Sequence, residues 1–162
     1  MARESTDDLA ARFLASARLL RAAWDRVPVA ARQWRPAPGK WSAHEIVVHC
    51  MDASVNAHAR IRYLVAEEDP VIVGYDQDRW VAALDYHAQP IAPVFATIDA
   101  IAASTAELVR RLDAAALART GRHTETGAIT LGTWFPYNAD HLKAHAAQID
   151  RNVAAFAARA SR

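Results

Sequence analysis

Cysteine occurs once, at position 50, so an internal disulfide is impossible. A lone buried cysteine ordinarily serves as a small apolar residue. Glycine is scarce, with five in 162 residues. With alanine, leucine and arginine abundant, that scarcity favours helix over turn-rich β architecture. No apolar run reaches the length a bilayer crossing needs. No charge of one sign dominates either. The formal net charge is +1, and the arginines are spread along the chain, so the electrostatic footprint of a nucleic-acid binder is missing. The opening residues, Met1 to Asp8, are polar and acidic and lack a signal-peptide apolar segment. A cytoplasmic protein with neither nucleic-acid nor membrane partners is expected. Repeats, low-complexity segments and a second domain are absent, which predicts one domain over residues 1–162 with a sizeable core.

What is present is helical periodicity. Ser5 or Thr6 caps a first helix, with Asp7 and Asp8 in its first turn. Leu9, Phe13, Ala17, Leu20, Trp24 and Val27 recur at steps of three and four, and Pro28 ends the pattern. Residues 34–40, with Pro36, Pro38 and Gly39, form a linker. Ser42 and Glu45 make a capping box for a second helix. Its stripe is Ile46, Cys50, Ala53, Ala57, Ile61 and Leu64, and it stops before Pro70. Residues 70–90 form a long connection with a short helix near Asp78 to Tyr86. A connection of that length can link two parallel helices of a bundle. The third helix carries Ile91, Val94, Ile98, Ile101, Thr105, Leu108 and Leu112, the alternating spacing of a bundle seam. Residues 119–130 form a polar loop with room for a small hairpin. Thr130 or Thr133 caps the fourth helix, with Pro136 near its first turn. The stripe there is Leu131, Trp134, Asn138, His141 or Leu142, His145, Ile149, Val153 and Phe156.

His141 and His145 are four apart, so on a helix they stack on one face. Either they point at one metal ion, or they are two hydrogen-bonded core histidines. His49, which borders the core of the second helix, is the candidate third ligand. Three imidazoles with an open position suit a metal that binds water or substrate. The run His44 to His49 resembles the HExxH protease signature but is one residue too long. At i, i+5 the two rings diverge by about 140°. His44 is therefore placed facing solvent and Glu45 is read as a cap. Neither a Glu-x-x-His pair for a di-iron bundle nor a G-x-S-x-G elbow occurs. His58, His87 and His123 are assigned to surface or loop. Trp24, Trp41, Trp80 and Trp134 are assigned to packing. Arg60 and Arg62 are placed on a solvated face. A substrate carboxylate is the alternative partner for Arg60, which lies eleven residues beyond His49, close to three helical turns.

Residues 38–42 (Pro-Gly-Lys-Trp-Ser) leading into 45–49 (Glu-Ile-Val-Val-His), then 75–80 (Tyr-Asp-Gln-Asp-Arg-Trp), then 141–149 beginning His-Leu-Lys-Ala-His, together resemble the DinB/YfiT-like superfamily of metal-binding four-helix bundles. The resemblance spans nearly the whole chain. It implies an all-α, up-down-down-up four-helix bundle with the long crossover between helices two and three. It also implies a divalent metal, zinc or nickel foremost, on His49, His141 and His145. Iron and copper suit imidazole as well. A homodimer and a small-molecule substrate are further expectations. Characterised members of the family include thiol-dependent S-transferases and a thiol-dependent isomerase, and others are proposed metal-dependent hydrolases. The reading is a metal-dependent S-transferase using a low-molecular-weight thiol. The alternatives are a metal-dependent hydrolase and a non-catalytic, stress-related metal-binding bundle. Cys50, about 100° around the helix from His49, is not the nucleophile.

Overall fold

The computed structural model describes residues 5–159, so Met1–Glu4 of the polar N-terminal segment lie outside the described residues. Helix α1 is Thr6–Asp25, and the Ser5 hydroxyl accepts from the Asp8 N–H at 3.1 Å. The predicted stripe from Leu9 to Val27 is buried at every position. Helix α2 is Ala43–Ala66 and opens with the predicted capping box. The Glu45 N–H donates to the Ser42 hydroxyl at 3.2 Å, and the Ser42 N–H donates to the Glu45 carboxylate at 2.8 Å. After strand β1 (Val71–Ile72), the short helix α3 spans Gln77–Ala83, capped by Asp76. A 3₁₀ turn at Tyr86–Ala88 follows. Helix α4 is Ile91–Arg110 and α5 is Ala114–Ala118. The predicted hairpin is β2 (Thr120–His123) and β3 (Gly127–Thr130). Strand β1 adds to it in parallel, giving a three-stranded sheet in the order β1-β2-β3. The last helix, α6, is Leu131–Arg159, with the Thr133 N–H bonded to the Thr130 hydroxyl at 3.1 Å.

Cross-helix contacts give the topology. Arg12 reaches the Pro136 carbonyl and Arg26 reaches Asp150, so α1 and α6 run parallel. Arg21 pairs with Asp99 and Arg110 with Asp7, so α1 and α4 are antiparallel. His44 bonds to Gln89 and His58 to Thr105, so α2 and α4 are parallel. Asn152 bonds to the Trp41 carbonyl while His145 lies beside His49, so α2 and α6 are antiparallel. The four-helix bundle is therefore up-down-down-up. The parallel α2–α4 pair is why the connection between them must return the length of the bundle.

The buried faces of two helices differ from expectation. On α4 the fully buried residues are Val94, Phe95, Ile98, Ala102, Thr105, Ala106 and Val109, while Ile101 and Leu108 are half-buried. A helix wedged between α1 and α2 buries a face broader than one seam. By length and composition α4 is also apolar enough to cross a membrane, contrary to the sequence reading, yet that face is seated in the bundle. On α6 the buried row is Phe135, Ala139, Leu142, Ala146 and Ile149. Phe135 stacks on Phe13 of α1 at 5.8 Å. The expected row through Trp134, Asn138, His141 and His145 is half-buried, because it belongs to the seam with α2.

His44 does not face solvent. It is buried, donates Nε2–H to the Gln89 carbonyl at 2.9 Å and sits edge-on to Trp24. The end of the crossover folds over the first turn of α2 and covers it. His123 is likewise buried, in β2. His87 bonds to the Ser42 hydroxyl at 2.8 Å and is half-buried, as are His58, Arg60 and Arg62.

Gly121 lies in β2, opposite Ile129 of β3 and beside Pro70, which immediately precedes β1. A Cβ there would come within 2.9 Å of the Pro70 carbonyl and 2.8 Å of the Leu64 side chain. Gly121→Ala is expected to destabilise the fold by roughly 1–3 kcal/mol, read from the urea unfolding midpoint.

Candidate metal centre

His49 lies in the second turn of α2, on the side that meets α6. His141 and His145 are consecutive turns of α6, and both rings lean toward α2. The structure brings all three expected histidines together. Their ring centroids are 5.4 Å (His49–His141), 4.8 Å (His49–His145) and 4.6 Å (His141–His145) apart. One ligand nitrogen from each lies within 4.8 Å of the others. Four-coordinate zinc holds imidazole nitrogens at about 2.0–2.1 Å, so donors around one ion stand a little over 3 Å apart. The observed cluster needs only small ring movements to close on a cation.

His49 is fully buried, and neither Nδ1 nor Nε2 has a hydrogen-bond partner among the described residues. An unpaired buried polar atom costs free energy. No helix-capping or packing role removes that cost, whereas a shared cation does. The donor set therefore fits a divalent metal. Burial, with the neighbouring His145 and His141, pushes the His49 pKa down to about 3. Burial, then His145, pushes His141 down to about 4. Burial lowers His145 too, partly opposed by its bond to Gln148. All three rings are neutral at pH 7, the form that ligates metal.

The surroundings add residues to which the sequence assigns no part beside the histidines. His145 Nδ1 donates to Gln148 Oε1 at 2.8 Å, which leaves Nε2 as the free lone pair. The signal was the i, i+3 spacing on α6. Trp41 packs against the edge of the core, as expected, and there it lies against His49 at 4.8 Å and His145 at 6.5 Å. Its indole N–H donates to Asp78 of α3 at 2.8 Å. One turn beyond His49, Asp52 accepts from the buried Tyr86 hydroxyl. Burial raises the Asp52 pKa despite that bond. Cys50 is fully buried, and burial raises its thiol pKa well above the ordinary value, in keeping with an inert packing role.

A family model described as the DinB superfamily matches residues 12–149. The chain belongs to the DinB superfamily. A protein of Oceanobacillus iheyensis whose name proposes a metal-dependent hydrolase is 33% identical over 111 residues, 68% of this chain and 64% of the relative. A Geobacillus kaustophilus protein whose name proposes the same activity is 30% identical over 112 residues, 68% of this chain and 63% of the relative. The match thus spans just under two thirds of the length of these relatives. Among solved structures, YfiT from Bacillus subtilis superposes with a TM-score of 0.85 at 22% identity, over 94% of this chain and 87% of that one. It is described as a probable metal-dependent hydrolase with an unusual four-helix bundle topology. At that identity the likeness concerns the fold.

The acidic side of the stability curve tests the electrostatics. Folded His49 and His141 titrate near 3 and 4, against 6.5 for an unperturbed histidine. Between those limits the unfolded chain binds more protons than the folded one, so stability rises with pH there. Metal-free protein is expected to keep its full stability above the unperturbed value and to lose it progressively as pH falls toward 4. Denaturant titrations across that range check this, and the slope should flatten in His49→Ala.

Proposed function

We propose that this chain is a metal-dependent hydrolase acting on a small molecule, with His49, His141 and His145 holding one divalent ion. The observation that carries the reading is a donor cluster within 4.8 Å in which one imidazole is buried with both nitrogens unpartnered. Neutral imidazoles suit zinc or nickel first, with ferrous iron and copper also accommodated. Three histidine ligands leave a coordination position free. A bound ion supplies Lewis acidity and acidifies the donor that takes that position.

The chain's own residues do the positioning. Gln148 holds the His145 tautomer, and Trp41 shields one side of the cluster from water. The thiol-dependent S-transferase expected from the family resemblance would use the same three ligands and a low-molecular-weight thiol. The names of the relatives support hydrolysis and give no such support to thiol transfer. A homodimer, a cytoplasmic location and a single domain over residues 1–162 complete the proposal.

Metal analysis of protein purified without a histidine tag is expected to find one divalent ion per chain. That ion should be lost in both His49→Ala and His145→Ala. Metal-free wild type, or variants that retain the ion, would sink the reading. With the metal in place, ester, amide and lactone panels should be turned over in a chelator-sensitive way. Conjugation of thiols to electrophiles without any hydrolysis would instead select the transferase. Gln148→Leu should keep the fold and weaken metal affinity by about 10–100-fold in a chelator competition.

A further inference from the structure

We propose that Arg60 binds the carboxylate or phosphate of an elongated substrate whose reacting end lies at the three histidines. The position of the reacting end rests on the metal-centre reading, whereas the anion site stands on its own observations.

The seam between α2 and α6 carries the argument. The helices are antiparallel, with His49 against His141 and His145 and the Trp41 carbonyl against Asn152. Moving toward the C-terminus of α2, that register brings Asn56 to the height of Asn138, and Arg60 to the height of Trp134. All four are half-buried. A seam inside a helical bundle is ordinarily apolar. This one carries polar groups from the histidines onward and ends at a guanidinium about 16 Å along α2 from His49, at 1.5 Å per residue.

That guanidinium is held in place without a carboxylate in direct contact. Arg12, Arg21, Arg26, Arg35 and Arg110 each lie within ion-pair distance of a carboxylate. Among the described residues Arg60 has no such pair. It donates to the Val73 carbonyl and lies 5.7 Å from the centroid of the Tyr75 ring. Tyr75 in turn packs on Trp80 at 4.3 Å. Burial lowers the Arg60 pKa, with Tyr75 and then Glu125, whose carboxylate lies against Gly74, opposing that shift. A half-buried cation with most of its donors unspent is a good receptor for a planar oxyanion. Tyr75 and Trp80, with Asp76 and Arg79, also line a surface hollow of about 430 Å³ next to the platform, though Arg60 itself is not in its wall.

The test is a titration of metal-free, ¹⁵N-labelled protein with glutarate and, separately, with inorganic phosphate. The Arg60 Nε–H and Trp80 indole resonances are expected to move and saturate. The anion that saturates at lower concentration identifies the substrate group as carboxylate or phosphate. Arg60→Gln should abolish the Trp80 response, and Arg60→Lys should weaken it. Substitution of the exposed Arg111 by Gln should leave it unchanged. His49→Ala should keep the anion response while losing metal. Shifts that never saturate, or a Trp80 response that survives in Arg60→Gln, would overturn the site. Failure of metal binding in wild type would remove the hydrolase reading and leave this titration readable.

Discussion

A single unmet demand organises the molecule. The imidazole of His49 is sealed inside the bundle, and its two nitrogens have no hydrogen-bond partner among the described residues. An unsatisfied buried polar atom costs on the order of 1–3 kcal/mol. Protonation offers no relief, because burial holds His49 and both its neighbours neutral. Rotation offers none either, since Trp41 and the two α6 histidines surround the ring. A cation shared by three lone pairs would meet the demand. The antiparallel packing of α2 and α6 is the means by which those lone pairs come together.

The long crossover is usually a cost of putting α2 and α4 in parallel. Here it braces the part of α2 that carries His49. Its helix α3 supplies Asp78 to the Trp41 indole, and its last turns supply Tyr86 to Asp52, His87 to Ser42 and the Gln89 carbonyl to His44. At the same end, Glu45 is buried yet ionised. Burial pushes its carboxyl up, but hydrogen bonds from Arg35 and Ser42 outweigh that and hold the pKa below its ordinary value. These ties restrain three consecutive turns of α2, so His49 is presented by a rigid element. Earlier in the crossover, Val73 and Tyr75 position Arg60. One connection thus shapes both ends of the α2–α6 seam.

Much of this was readable from residue order. The stripe of α1, the capping box of α2, the threonine pair Thr130 and Thr133 at the start of α6 and the i, i+4 histidine pair depend on contacts within a few residues and are all present. The burial of His44 was not readable, because it follows from a segment more than forty residues away folding over it. Nor was the third strand. Val71 and Ile72 acquire partners only when β2 arrives beside them. The buried faces of α4 and α6 were misjudged by part of a turn. Periodicity shows that a helix has an apolar side, but the number of neighbours sets how wide that side becomes.

By itself, then, the chain determined where helices start and stop and that two histidines would stack on one of them. Those outcomes follow from backbone capping and a 3.6-residue repeat, which are local. Tertiary structure decided that His49 would stand among the other two and that Gln148 would orient one of them. It also decided that Arg60 would have no ion pair among the described residues. Each of those depends on the register between helices distant in sequence, which is set by packing across the whole core.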